Sequence, residues 1–331
     1  SVWSWGRNNK GQLGQSTNGV NNTYKDMQTP DRVLKGEYDT GNADDRYIKN
    51  VDALSAGENF SVVTTRDRNV YAWGDNTYGQ LGNDKTTATI ATPVHVKSSN
   101  GTYLTGISMV SGGANHVIAM SNTNDIYAWG DNSKSQYHEV ENTHVANKIT
   151  DKDSLNPEND DVFTSFSRVT AGWNYSVILT NNGYLWALGN NTYGQLGDGT
   201  YGTSNVDKFV PRQVRIGQNE SNTKLLTNIK YVAAGANSSA AIDQNGLLYV
   251  WGNNDYSQMG LGNTMSHSDF YSPSKIESIS GATMITAGAN HAMVYAGGKV
   301  YTWGANESGQ LGIGSTDDKS TPQKVSFDLA V

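Results

Sequence analysis

The chain of 331 residues contains no cysteine, so it forms no disulfide and has no thiolate for catalysis or for binding zinc. Proline is rare, at six residues, and no run of 18 apolar residues predicts a membrane-spanning helix. Basic residues number 24 against 31 acidic ones, which gives a net charge of −7, and there is no Lys/Arg run. The charge pattern disfavours binding of nucleic acid through a basic surface.

What the sequence does contain is one signature present six times: an aromatic-Gly pair, then Asn, then Gly-Gln-Leu-Gly in the best copies. The copies begin 52 to 68 residues apart, at Trp5, Trp73, Trp129, Leu188, Trp251 and Trp303. A period of this size indicates one structural unit repeated along the chain, and it predicts the fold before any single residue is considered.

Each unit contains segments typical of β-strands. The five later signatures are preceded by an Ala/Gly-Gly-x-Asn motif and a short apolar run, such as the run at 176–179. A second run, such as 70–73, leads into each Trp-Gly pair and alternates β-forming residues. Between the two runs, Asn182-Gly183 and Asn245-Gly246 predict hairpin turns in which both residues take positive φ.

The prolines predict a fourth strand. Five of the six share one repeat position, at Pro30, Pro93, Pro211, Pro273 and Pro322. Because proline cannot donate to a strand ladder, this segment is expected at the outer edge of each sheet. Four antiparallel strands repeated radially predict an all-β fold, a β-propeller of about six four-stranded blades, with one blade incomplete within this chain. We expect a single domain over 1–331, with blade units around 1–50, 51–100, 101–160, 161–220, 221–280 and 281–331.

The ordered succession of these motifs resembles the regulator-of-chromosome-condensation repeat, and the resemblance covers essentially the whole chain. It implies a propeller, usually of seven blades, and the composition is closest in style to the secreted bacterial members. Members of the family include a nucleotide-exchange factor for a small GTPase, a plant ultraviolet photoreceptor and a secreted bacterial inhibitor of β-lactamases. Because these functions differ so widely, the resemblance implies architecture rather than activity.

The motif count predicts an unfinished first blade. Six Trp-Gly signatures are matched by five Ala/Gly-Gly-x-Asn motifs, so about 20 residues, the size of one inner hairpin, are absent. Three interpretations remain open. A longer parent chain contains the hairpin, which is our first choice because uncovered sheet edges promote aggregation. Otherwise the ring closes with one thin blade, or a neighbouring chain supplies the strands by β-augmentation.

The positions that vary within the repeat predict a binding surface. The residues flanking the motif Asn fall near the expected mouth of the central channel, and the candidates for binding are Glu58, Phe60, His116, Trp173, Tyr175 and His291. An exposed aromatic group there is typical of an interaction hot spot or a sugar-stacking platform. The alternative is that these side chains plug the channel. The third unit is a further candidate contact, because 139–161 replaces the expected proline strand start and Gly-Gln-Leu-Gly has become Ser-Gln-Tyr-His at 135–138.

The sequence predicts no catalytic residues, no cofactor and no metal site. The glycines at 194–199 lack the Lys-Ser/Thr and the helix that a phosphate loop needs, and the acids at 151–161 lack the glycine of a calcium loop. His116 and His291 share a repeat position, but a structural role is favoured over a metal. The repeated Asn and Gln are expected to bond loop backbone.

These patterns favour a non-enzymatic recognition or assembly module. We expect it outside the cell or on the cell surface, without excluding the cytoplasm. It would bind a protein partner or a glycan through one propeller face, or another copy of itself at the incomplete blade. The alternative is a regulator of a partner enzyme or GTPase, by inhibition or nucleotide exchange.

Overall fold

The protein is all-β in a computed structural model, as the sequence predicts. The structure describes residues 1–16, 24–38, 41, 45–137, 141–149, 165–202, 207–216, 224–262 and 270–326. This part of the chain contains 22 strands, and it has no helix of the length and apolar character needed to cross a membrane. The strands belong to two compact units, Ser1–Ser154 and Leu155–Val331. The expectation of a single domain stays a prediction.

The first unit contains one two-stranded and two four-stranded antiparallel sheets. The two-stranded sheet pairs β1 (Trp3–Gly6) with β2 (Met27–Arg32). The next sheet runs through β3 (Val51–Ala56), β4 (Phe60–Thr65), β5 (Val70–Asp75) and β6 (Thr89–His95). The third contains β7 (Ile107–Gly112), β8 (His116–Ser121), β9 (Ile126–Gly130) and β10 (Thr143–Ile149).

The second unit contains three four-stranded sheets of the same antiparallel order. The first contains β11 (Phe166–Ala171), β12 (Tyr175–Thr180), β13 (Leu185–Asn190) and β14 (Asp207–Gln213). The second contains β15 (Ile229–Ala234), β16 (Ser238–Asp243), β17 (Leu248–Gly252) and β18 (Phe270–Lys275). The last contains β19 (Ala282–Ala287), β20 (His291–Ala296), β21 (Lys299–Gly304) and β22 (Lys319–Lys324).

The proline segment is the outer strand of its sheet, as predicted. Pro93 lies in β6, which pairs with β5 alone, and the other four repeat prolines lie in β2, β14, β18 and β22. The register shifts beside each proline. In β6, Val94 faces Ala72 while Ile90 faces Gly74, so Pro93 falls in the bulge. A residue without a backbone N–H is tolerated there because the ladder is already interrupted.

The predicted turn type at the Asn-Gly pairs is wrong. Gly183 and Gly246 have positive φ, 82° and 77°, but their asparagines do not. The Gly183 N–H donates to the Thr180 carbonyl at 3.0 Å, so glycine is the last residue of a β-turn in a longer connection. A two-residue turn with positive φ at both positions occurs at Gly297-Gly298, between the paired residues Ala296 and Lys299.

The third sheet, β7–β10, keeps the repeat geometry although its sequence departs from the repeat motif. β10 forms without proline, inside the stretch predicted to replace this strand, and it has the same register shift. Ser135 takes φ 56° at the position of Gly79, and Tyr137 is buried at the position of Leu81. Apart from 141–149, the 139–161 insertion lies outside the described residues.

The cores lie between neighbouring sheets of a unit. In the first unit, Val62 and Val70 pack with Val117, Ala119 and Trp129 of the following sheet. Equivalent clusters join the sheets of the second unit and include the indoles of Trp251 and Trp303. Burial of these apolar side chains at about 25 cal/mol per Å² is the main stabilising contribution of each sheet interface.

Candidate functional site

The repeated Asn of the signature holds the loop that follows it, as predicted. Asn76 is buried, its Oδ1 accepts the Leu81 N–H at 3.0 Å, and its Nδ2 donates to the Lys85 carbonyl at 2.9 Å. The same acceptor bond, at 3.0 to 3.1 Å, is made by Asn8, Asn132, Asn191, Asn254 and Asn306. These amides are therefore occupied by the protein's own backbone.

The two ends of the signature meet between neighbouring sheets, which sequence reasoning missed. The Trp129 indole N–H donates to the Gln80 carbonyl at 2.9 Å, so the Trp-Gly of one sheet contacts the Gly-Gln-Leu-Gly loop of the sheet before it. The same bond joins Trp73 to Gln12, Trp251 to Gln195 and Trp303 to Gln258. Each repeat contains both the Trp-Gly pair and the Gly-Gln-Leu-Gly loop, which is a signal that the two are related. Only the tertiary structure shows that the Trp of one repeat contacts the loop of the repeat before it.

Glu58 and Trp173 lie in the loop that carries the Gly-x-Asn motif, and the other four candidates begin the strand that follows this loop. Within the first unit, the Glu58 N–H donates to the Ala114 carbonyl at 3.1 Å. Within the second, the Trp173 N–H donates to the Ala236 carbonyl at 3.1 Å, and the Ala236 N–H to the Ala289 carbonyl at 3.2 Å. In these loops, a backbone hydrogen bond joins the variable residue to the loop of the next sheet. This bond does not involve the side chain, which can therefore vary from one loop to another.

Three of the six candidates are buried and are not placed to contact a partner. Phe60, His116 and Tyr175 open the second strand of their sheets and are at most 1 % exposed. The Tyr175 hydroxyl donates to the Ser238 carbonyl at 2.6 Å, which ties it to the following sheet. The binding role expected for these three is therefore corrected to a packing role, because their side chains are buried.

In three of the loops, the ring at this position explains the motif glycine. A Cβ on that glycine would collide with the ring three residues later, as found for Gly57 with Phe60, Gly172 with Tyr175 and Gly288 with His291. None of these glycines has positive φ, so the requirement is space for the ring rather than an unusual backbone conformation.

The other candidates remain accessible. Trp173 is 42 % exposed and Glu58 is exposed, whereas His291 is half-buried. At the position of Trp173, the other four loops carry Glu58, Ala114, Ala236 and Ala289. A large indole is thus exposed where a methyl group suffices for the fold, and its use as a contact stays a prediction.

Burial controls the protonation of the histidines in these loops. Burial lowers the pKa of His116 to about 4, against a smaller opposing effect of the Asp131 carboxylate, so His116 is neutral at pH 7. Burial also lowers the pKa of His291. Because these two side chains are neutral near pH 7, the charge of these loops does not come from imidazolium groups.

The described residues form neither a metal-binding cluster nor a phosphate-binding loop. Within them, no group of three or more His, Asp or Glu side chains is close enough to hold a metal ion. The glycines that resemble a phosphate loop take turn conformations, with φ of 75° at Gly194 and 69° at Gly197. A Cβ on Gly197 would be only 2.6 Å from the indole nitrogen of Trp251. The indole of the next sheet therefore occupies the space beside this loop where a phosphate would have to bind.

One open groove lies in the first unit, beside β1. It has a volume of about 350 Å³, and its lining includes Val2, Trp3, Trp5, Leu54 and Phe60. Trp3 is 49 % and Trp5 is 60 % exposed, although the tryptophans at the position of Trp5 in other sheets are buried. The groove lies beside the edge of β1 that pairs with no strand among the described residues, whereas the equivalent strands of the other sheets pair on both sides.

Known proteins share this architecture. The Ultraviolet-B receptor UVR8 of Arabidopsis thaliana is 27% identical over 334 residues, covering 98% of this chain and 66% of the receptor. The human E3 ubiquitin-protein ligase HERC2 is 24% identical over 375 residues, covering 98% of this chain and 7% of the ligase. The chain thus spans just under two thirds of the receptor and a small part of the ligase.

Solved structures confirm the propeller fold. Yeast RCC1 (Prp20), in its complex with Kap60, matches with a TM-score of 0.77 and 22% identity, over 99% of this chain and 71% of that one. Human WBSCR16 matches with a TM-score of 0.66 and 18% identity, over 98% of this chain and 93% of that one. The model of the RCC1-like domain matches residues 1–331, and the chain therefore belongs to the RCC1-like domain family of β-propellers.

Proposed function

We propose that this propeller is a non-enzymatic recognition module that binds a partner protein through the loop face carrying Trp173. The observation that carries the proposal is the exposure of this indole, 42 %, at a repeat position where Ala114, Ala236 and Ala289 stand in other sheets. Tryptophan is enriched among residues that dominate binding energy, and the fold does not require it here.

The relatives support a protein partner over a glycan. Yeast RCC1 was solved bound to Kap60, and Prp20p has been characterised for its binding to Gsp1p and histones. The loop glycines, amides and buried rings serve the fold in this chain, so a partner surface is left to the variable side chains. We propose a location outside the cell or on its surface, with the cytoplasm as the alternative; fractionation of the source cells tests this location.

Photocrosslinking tests the recognition face. A photoreactive phenylalanine analogue at position 173 should crosslink a specific protein, and Trp173→Ala should weaken binding of that protein at least tenfold. The matched control is Tyr256, which has the same 42 % exposure and lies elsewhere in the second unit. Because alanine occurs naturally at the equivalent positions, Trp173→Ala should melt at the same temperature as the parent.

Two results would overturn the proposal. Unchanged partner affinity in Trp173→Ala would remove this face from recognition, and equal crosslinking at positions 173 and 256 would mean contact without specificity. A glycan array on which binding depends on Trp173 would replace the protein partner by a sugar. Regulation of a GTPase or an enzyme, as the relatives suggest, would then be tested by nucleotide exchange or inhibition with the captured partner.

A further inference from the structure

We infer that the groove beside β1 binds a β-hairpin of the repeat type, which pairs with the free edge of β1 and packs on β3. This site is distinct from the loop face proposed for recognition. Four independent comparisons within the chain support it, because five other sheets show what the same residues do when the hairpin is present.

The first comparison concerns the free edge of β1. In the described residues, β1 pairs with β2 on one side and with no strand on the other. Its equivalents all pair on that side with a second strand, as β5 does with β4 through Ser61 opposite Trp73 and Val62 opposite Ala72. A strand added to β1 in that register would place a small residue opposite Trp5 and an apolar residue opposite Ser4.

The second comparison concerns Gly6. Its equivalents in the five complete sheets lie against the carbonyl oxygen of the motif Asn. A Cβ on Gly74 would be 2.5 Å from the Asn59 carbonyl oxygen, and a Cβ on Gly189 would be 2.7 Å from the Asn174 carbonyl oxygen. Gly6 has the same positive φ, 102°, yet nothing lies within 4 Å of its Cβ position. The backbone is shaped for a close approach that no described residue makes.

A hydrogen-bond donor is left over at the same point. In the complete sheets, the residue after the Trp-Gly pair donates its N–H to that Asn carbonyl, as Asp75 does to Asn59 at 2.9 Å and Asp131 to Asn115 at 2.8 Å. The equivalent donor is the N–H of Arg7, which has no backbone acceptor in the described part of the chain. The occupant should therefore carry a Gly-x-Asn loop whose Asn carbonyl accepts this bond.

The third comparison concerns Trp5. The tryptophans at its position, Trp73, Trp129, Trp251 and Trp303, are at most 1 % exposed, whereas Trp5 is 60 % exposed. The fourth concerns Leu54 on β3, which is 68 % exposed while its equivalents Val110 and Val232 are 6 % exposed. Trp5 and Leu54 both line the groove, so a single occupant would cover both exposed apolar side chains.

The occupant must be a hairpin rather than one strand. Where complete sheets adjoin within a unit, both inner strands pack against the first strand of the next sheet: β3 and β4 against β7, and β15 and β16 against β19. The groove beside β1 opens on β3 in the same manner. A second copy of the chain does not fit this role, because its described inner hairpins are all paired in their own sheets.

A synthetic peptide of residues 229–243, which form the inner hairpin β15–β16, is the probe. Added to the intact protein, it should bind one to one, blue-shift the fluorescence of Trp3 and Trp5, and protect the β1 amides from hydrogen exchange. Ala241→Pro in the peptide should abolish binding, because proline removes a donor in the strand expected to pair with β1. Since isolated hairpins are marginally stable, the same segment joined by a flexible linker ahead of Ser1 provides a second measurement.

Protein variants decide whether the groove is the site. Trp5→Lys should weaken peptide binding at least tenfold, while Tyr201→Lys, an equally exposed aromatic at 60 %, should leave it unchanged. The inference is overturned if both variants bind alike, or if the β1 amides of the fused protein exchange as fast as in the parent. If the protein's mass in solution rises with its concentration, and the peptide does not dissociate the oligomer, the groove would be assigned to a second copy of the chain instead.

Discussion

At the scale of the residue, the repeated asparagine amides hold the backbone of the loops rather than contact a ligand or substrate. The buried amide of each signature Asn satisfies backbone groups of a tight loop that would otherwise be desolvated without partners. For this reason the amides recur in every unit, whereas Glu58 and Trp173, at a repeat position that carries alanine in other loops, are exposed.

A pair of adjacent asparagines tests this assignment. Asn8→Ala removes the acceptor of the Leu13 N–H and the donor to the Lys25 carbonyl, and we expect it to lower the free energy of unfolding by about 1–3 kcal/mol. Asn9→Ala, at an exposed neighbour, should change it by less than about 0.5 kcal/mol. Urea denaturation measures both, and equal losses would contradict a buried role for Asn8 alone.

The buried His116 predicts a pH-dependent stability. Its pKa is about 4 in the folded protein and 6.5 in the unfolded chain, so between these values the unfolded chain binds a proton that the folded protein excludes. Stability should therefore fall as the pH falls from 6.5 towards 4, by roughly 3 kcal/mol in total. The variant His116→Phe, which introduces the residue found at Phe60, should flatten this part of the profile.

The measurement is the free energy of unfolding from pH 7 to pH 4. His144→Phe, on the outer strand β10, controls for the loss of one histidine. If His116→Phe retains the parental slope, the buried imidazole is not the titrating group.

At the scale of the element, a sheet that carries the Trp-Gly pair is held, within its unit, by the loop of the sheet before it. The indole of Trp129 is fully buried, donates to the Gln80 carbonyl and leaves no room for a side chain at Gly82. The single motif that dominates the sequence is therefore the contact surface between consecutive sheets, and not a feature internal to one sheet.

Trp5 provides a matched control for this contact. Trp129→Phe should destabilise the protein by about 1–3 kcal/mol, because a buried carbonyl loses its donor and a cavity forms. Trp5→Phe, at the same repeat position but 60 % exposed, should cost less than about 0.5 kcal/mol. Comparable losses in thermal unfolding would mean that the interface does not depend on the indole.

At the scale of the whole molecule, the repeat predicts stability that is a sum of sheet and neighbour contributions. Trp129 and Trp303 belong to separate core clusters, whereas Trp129 and Leu81 share one. We expect Trp129→Phe and Trp303→Phe to add within about 0.5 kcal/mol, and Trp129→Phe with Leu81→Ala to couple by about 0.5–3 kcal/mol. Double-mutant cycles measure both; coupling in the first pair would contradict a nearest-neighbour scheme.

The sequence by itself determined the all-β class, the outer position of the proline strands, the loop-holding asparagines and the sheet that is incomplete within this chain. These follow from local chemistry, since proline lacks a donor and a buried amide needs partners wherever it occurs. The tertiary structure decided what depends on contacts between residues far apart in the chain. It buried Phe60, His116 and Tyr175, of which Phe60 and Tyr175 lie against the motif glycine. It also gave Asn182-Gly183 a longer turn, and it kept the loop geometry of the third sheet with Ser135 at positive φ and Tyr137 buried. It also left Trp5 and Gly6 without the neighbours that their equivalents have, because burial is a property of the packed sheets and not of the motif.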